Sequence, residues 1–176
     1  MLLDQRQNGS LTEGARSILD ATSRRLLAEL QENARLSLAE LGRRVGLSSP
    51  AVAERLKRLE DAGVITAYRA QVDPRAVGFA LTAVIRIRPA PMQLTRVAEL
   101  ARRTEEITEC DRITGDDCYV MKAHVRDVEH LERLIDAFAP HGQTTTAILQ
   151  SSPVPRRGVA LGLDGEVGGP VGDRPG

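Results

Sequence analysis

Apolar residues recur at helical spacing through the first third of the chain, after which the period shortens to two. Leu26, Leu27 and Leu30 mark a first helix, expected over residues 23–33. Leu38, Leu41 and Val45 share one face of a second; Ser37 opens it with a capping hydroxyl and Gly46 ends it. Val52, Leu56 and Leu59 mark a third. It starts at Ser48 or Ser49, and Pro50 falls where no helical N–H is lost. Asp61, Ala62 and Gly63 close it, and Val64, Ile65 and Tyr68 then begin an extended segment, read as a small β-wing.

Further along, Leu81, Ala83, Ile85 and Ile87 alternate with Thr82, Val84 and Arg86, the period of a strand. Residues 92–104 return to helical spacing through Leu94, Val97, Leu100 and Ala101. Residues 107–114 read as a second strand, Gly115, Asp116 and Asp117 as a turn, and residues 119–125 as a third strand. Asp127 caps a helix carrying Val128, Leu131, Leu134, Ile135 and Phe138, which Pro140 to Gly142 break before a fourth strand over residues 144–150. The order βαββαβ predicts a four-stranded antiparallel sheet with two helices on one face, a ferredoxin-like arrangement. Its other face, lined by Thr82, Val84 and Arg86, is open and suits a partner or a second copy. The class is α+β. A flexible arm (1–17) precedes a winged helix-turn-helix (18–70); a hinge with Asp-Pro and Gly (71–78) leads to the ferredoxin-like domain (79–150). A Pro/Gly-rich tail (151–176) is read as disordered.

Two short helices joined by a tight turn place the second in the major groove of duplex DNA. The hydroxyls of Ser48 and Ser49 and the small residues beside them let that helix end approach DNA closely. Ser49, Ala51, Glu54 and Arg55 are the candidates for base edges, with Arg55 reaching a guanine in bidentate fashion. Arg43, Arg44, Lys57 and Arg58 are placed for phosphates, which position a protein without reading sequence. The plain alternative is a helical hairpin with a solvated charged face. Net charge is zero over 176 residues. Residues 1–72 hold eleven basic and nine acidic side chains, residues 73–150 ten and twelve. The basic excess is small and sits with the reader, so affinity is expected from two or more reading heads.

Composition removes several classes. Phe79, Phe138, Tyr68 and Tyr119 are too few aromatics for a base-stacking single-strand binder. No apolar run reaches membrane length and no secretory leader pattern opens the chain. Cys110 and Cys118 make no disulfide framework, so a reducing cytoplasm is expected, and both read as small buried hydrophobes rather than sensing thiols. His124, His130 and His141 lack metal-ligand spacing and read as structural. No phosphate loop or nucleophile elbow is present, so no catalytic residue, metal or cofactor is expected.

Residues 38–78, LAELGRRVGLSSPAVAERLKRLEDAGVITAYRAQVDPRAVG, resemble the DNA-binding half of the Lrp/AsnC (leucine-responsive, feast/famine) transcriptional regulators. The segments ITGDDCYVMKAHVRD and GQTTTAIL resemble that family's effector-binding and oligomerisation half. The resemblance spans about residues 17–150 and joins both modules in order. It implies a cytoplasmic regulator built on homodimers that assemble into larger oligomers such as octamers, with a small molecule, commonly an amino acid, bound between dimers. The family's ligand loop matches Thr114, Gly115, Asp116, Asp117 and Cys118, and its closing strand matches Ala147, Ile148 and Leu149. That loop usually reads Gly-Asp-aromatic-Asp; here Cys118 takes the place of the second acid, which moves the acidic role to Asp116 or Asp117. Ser23 stands where relatives carry Asp at the start of the first helix and is expected to cap in its place. Two other functions fit the same fold: a tetrapyrrole enzyme similar to sirohaem decarboxylases, and an architectural DNA protein without an effector.

Overall fold

The computed structural model describes residues 18–162. The described residues form two compact units, one of 18–69 together with 154–162, the other of Ala70–Pro153. The expected arm at 1–17 lies outside the described residues, as does the tail beyond 162.

Among the described residues the first unit is built on three helices, α1 (Ala21–Glu32), α2 (Leu38–Val45) and α3 (Ser49–Asp61). Leu26, Leu41, Val52 and Leu59 are almost inaccessible, and Leu27, Val45 and Leu56 complete their cluster. The apolar stripes read from the sequence therefore meet in one core. α1 begins earlier than expected. Its cap is Asp20, whose Oδ1 accepts from the Ser23 N–H at 2.7 Å, so Ser23 sits inside the first turn, fully buried, rather than capping. Ser37 caps α2 as expected, accepting from the Glu40 amide, and of the two serines expected to start α3 it is Ser48 that caps, accepting from the Ala51 amide. Gly46 ends α2 with φ 76°, a left-handed conformation that a Cβ disfavours.

The wing differs from expectation. Val64 and Ile65 pack against the helical core, and both their amides bond to the Leu59 carbonyl. The Tyr68 hydroxyl donates to Glu60 Oε1 at 2.8 Å. Yet residues 66–73 form no strand, because no second segment among the described residues pairs with them. The tail is the second correction. Leu161 packs on the helical cluster, Gln31 Nε2 donates to the Val159 carbonyl at 3.1 Å, and the Arg24 guanidinium donates to the Leu161 carbonyl. Val159 and Leu161 are thus held by α1, within a stretch that composition alone suggested was disordered.

In the second unit β1 (Leu81–Pro89), α4 (Leu94–Arg103), β2 (Ile107–Arg112), β3 (Tyr119–Val125), α5 (Val128–Phe138) and β4 (Gly142–Ile148) follow the predicted βαββαβ order. Short 3₁₀ turns lie at Pro74–Val77 and Ala139–His141, so Pro140 sits in a turn that carries α5 into β4. The sheet order is β2-β3-β1-β4 with every pair antiparallel. Alternation along β1 and β3 sends Ala83, Ile85, Ile87, Tyr119, Met121, Ala123 and Val125 into a core closed by Val97, Leu131, Leu134 and Phe138. Thr82, Val84 and Arg86 face the other way, on the side the helices leave open, as the period of two requires.

Candidate DNA-reading and effector sites

On α3 the buried stripe Val52, Leu56 and Leu59 leaves Glu54, Lys57 and Arg58 exposed, with Ser49 and Ala51 half-buried at the N-terminal end. Ser48 spends its hydroxyl on the Ala51 amide, so it orders the helix end. The four cations placed for phosphates are all paired. Arg58 meets Glu54, and Lys57 Nζ lies 2.8 Å from Asp61 Oδ2. Arg43 meets Glu40, which also holds Arg44 Nε at 2.9 Å, while Arg44 Nη1 reaches Glu29 Oε2 at 2.6 Å.

Arg55 is the exception to the outward reading. It adjoins the buried stripe, and its Nη1 donates to Asp20 Oδ2 at 2.6 Å and to Ser23 Oγ at 3.0 Å. A side chain expected to reach a guanine is instead tied to the start of α1. The Asp20 carboxyl is held below its usual value, chiefly by the Ser23 amide against the opposing effect of partial burial, then by Arg55 and the Ser23 hydroxyl. Asp20 carried no periodic or capping signal, because the expected helix began three residues later.

In the sheet unit the loop after β2 turns at Gly115, φ 105°. It is pinned where the Cys118 amide donates to the Ile87 carbonyl at 3.1 Å and the Ile113 amide to that of Cys118 at 2.9 Å. Both loop acids face arginines of β1. Asp116 Oδ2 lies 3.2 Å from Arg88 Nη2, whose Nε also donates to the Asp116 carbonyl at 3.0 Å, and Asp117 Oδ2 lies 3.7 Å from Arg86 Nε. Sequence reasoning missed Arg88 and gave Arg86 only to the open face. Cys118 is half-buried against the sheet core. Cys110 is exposed, contrary to expectation, and partial desolvation together with Asp111 pushes its thiol up, away from the thiolate.

Thr114 and its loop neighbours do not meet Ala147, Ile148 and Leu149. The Leu149 amide bonds to Thr82 at one end of β1, whereas Cys118 bonds to Ile87 near the other. Five residues of strand separate those anchors, about 17 Å. The three histidines are hydrogen-bonded: His124 to Thr82, His141 to Gln93 and His130 to Glu106. Among the described residues no His, Cys, Asp and Glu cluster is placed to hold a metal ion, and no helix is long and apolar enough to cross a membrane.

A capped helix-turn-helix followed by an antiparallel sheet unit defines a two-module DNA-binding protein. Residues 19–66 match the family model described as winged helix-turn-helix DNA-binding, and residues 82–159 match the Lrp/AsnC ligand binding domain. The chain is 40% identical over 134 residues to YezC of Bacillus subtilis, named an HTH-type transcriptional regulator, covering 76% of this chain and 95% of that one. It is 36% identical over 120 residues to the leucine-responsive regulatory protein of Haemophilus influenzae, covering 66% and 72%. Among solved structures, B. subtilis LrpC superposes with a TM-score of 0.75 at 30% identity, covering 78% of this chain and 98% of that one. A Neisseria meningitidis transcriptional regulator in complex with L-Met superposes with a TM-score of 0.73 at 29% identity, covering 78% and 93%. The chain belongs to the Lrp/AsnC family of transcriptional regulators. It is an effector-modulated DNA-binding regulator.

Proposed function

We propose that this regulator reads duplex DNA with the exposed face of α3 and that an amino acid tunes its DNA affinity or assembly. The observation that carries the reading is the join itself: each half of the chain matches its own family model, in the order that couples a reader to a ligand-binding unit. Ser49, Ala51 and Glu54 serve base edges, and Ser48 sets the helix end that approaches the backbone. Arg43, Arg44, Lys57 and Arg58 serve phosphates. Their present carboxylate partners are no obstacle, since exposed pairs of this kind are weak and screened by solvent and a phosphate replaces them.

The L-Met complex of the Neisseria relative supports an amino acid as effector. In this chain Thr114, Gly115, Asp116, Asp117 and Cys118 form one part of that site and Ala147, Ile148 and Leu149 the other. Their separation along β1 supports a ligand held between copies, hence homodimers assembled further, to octamers. Asp117, the less exposed loop acid, takes the acidic role that Cys118 vacates. The protein acts in the cytoplasm and is not an enzyme; the curated relatives named above are called regulators. Effector and DNA binding are then reciprocally coupled.

The test is a gel-shift titration on the promoter region of its own gene at fixed salt, with and without each amino acid. A discrete, competitor-resistant shift that one amino acid alters is the expected result. A shift indifferent to all of them overturns the amino-acid reading.

A further inference from the structure

We infer that Asp20 is a positioning residue for DNA reading: with Ser23 it clamps Arg55 and thereby sets how α3 is presented to the groove. Arg55 belongs to this clamp rather than to a base pair. The inference rests on the DNA-binding reading and goes beyond it to a residue that contacts no DNA.

Both oxygens of Asp20 are used. Oδ1 caps α1 through the Ser23 N–H at 2.7 Å, and Oδ2 accepts from Arg55 Nη1 at 2.6 Å. The same nitrogen donates to the Ser23 hydroxyl at 3.0 Å. Ser23 is fully buried, so this bond answers its hydroxyl where water does not reach. Arg55 lies midway along α3, between Val52 and Leu59 of the buried stripe, while its neighbours Glu54 and Arg58 stay exposed.

The location explains the need. The buried stripe Val52, Leu56 and Leu59 sets which face of α3 meets the core, and a directional bond refines its rotation within that packing. A charge-assisted hydrogen bond from guanidinium Nη1 to a carboxylate oxygen is short and directional. Tied at mid-helix to the first turn of α1, it narrows that rotation, and groove readout depends on base-contacting side chains arriving within a fraction of an ångström of their partners. The clamp also holds the guanidinium by two acceptors in the folded protein, so a move to guanine requires giving up both.

The experiment uses the full-length protein and a duplex that it selects from a randomised pool. Asp20→Asn keeps an oxygen for the cap and removes the charge, Arg55→Met keeps the apolar stem, and the double variant closes the cycle. At a temperature where each is folded, affinity is measured for the selected duplex, for random-sequence duplex and for every single base-pair change in one half-site. Positioning predicts that the ratio of selected to random affinity falls about fivefold in either single variant. The loss spreads over the half-site, and the double variant is no worse than either single. If Arg55→Met flattens preference at one base pair while Asp20→Asn leaves the profile intact, Arg55 is a base reader and the proposal is wrong. A lowered melting temperature with both affinities retained makes the cluster a fold support only and also overturns it. Should Arg55→Met not fold, the Asp20→Asn profile decides alone. Failure of the wild-type protein to enrich any duplex instead overturns the DNA-binding reading on which the proposal stands.

Discussion

Gly42 and Ser48 set the helix-turn-helix bend from its two sides. The Gly42 carbonyl accepts from the amides of both Gly46 and Leu47, at 2.8 and 2.9 Å, and a Cβ on Gly42 would run into the Leu47 carbonyl oxygen. Backbone on both sides of that clash leaves no flexible side chain to yield. Gly42→Ala is therefore expected to destabilise the reader by about 1–3 kcal/mol, visible as an earlier transition in a denaturant melt. Ser48→Ala removes one capping bond and is expected to cost about 1 kcal/mol in the same measurement. The two residues differ in how far the sequence reveals them. Ser48 announces its role by standing before Ser-Pro and an apolar stripe. Gly42 looks like a weak point inside a helix, since the chain that excludes a side chain there arrives five positions later. Asp20 was hidden for a related reason: its partner Arg55 lies thirty-five residues away, and no local pattern joins them.

Helix α5 is locked to the start of β2 by one pair of side chains. His130 Nε2 lies 2.8 Å from Glu106 Oε1, and the His130 amide donates to the cap Asp127 at 2.7 Å. The Glu106 carboxyl is held below its ordinary 4.5, first by its own backbone amide and then by His130, with burial opposing. A carboxyl depressed in the folded state contributes stability that is full above its unfolded value and lost as pH falls through the folded one. The sheet unit is thus expected to lose stability on acidification below about pH 4.3, and Glu106→Gln to shallow that slope in melts taken from pH 7 downward. An unchanged slope would remove Glu106 from the account. Elements of this unit were the most readable part of the chain. β3 alternates without interruption and Asp127 precedes an amphipathic run, so period and cap agreed. The strand expected in the wing does not form among the described residues: Val64, Ile65 and Tyr68 carry β-propensity, yet a strand needs a partner that the segment does not find here. The proposed effector loop was legible by resemblance, but its ion pairs with Arg86 and Arg88 depend on strand register, which no single strand displays.

At the scale of the whole molecule the chain leaves the reader near Arg69 and returns to it near Val154, so the sheet unit is tied to the reader at both of its ends. Composition hid the second tie. Residues 152–162 are rich in Pro and Gly and lack a period, yet Leu161 finds the apolar cluster and two side chains of α1 hold carbonyls of the returning segment. A chain ending at Pro153 loses both bonds and the packing of Leu161, which is partly buried; about 1 kcal/mol of reader stability is expected to go with them. Leu161→Ala in the full-length protein should reproduce part of that loss. The mechanical consequence is larger. The covalent link near Arg69 together with the docked segment around Leu161 leaves a reading head fewer excursions than the link alone, because closing a loop removes conformations open to a single linker. In the proposed homodimer, heads held in this way are expected to accept half-sites near one helical turn apart and to resist other spacings. The truncated protein is therefore expected to bind operators lengthened by about half a turn with a smaller penalty than the intact protein shows, while its affinity for the native spacing falls as the head spends less time in register. Competition binding with duplexes of graded half-site spacing measures both quantities. Equal penalties in the two proteins would mean that the docked tail stabilises the reader without restraining it.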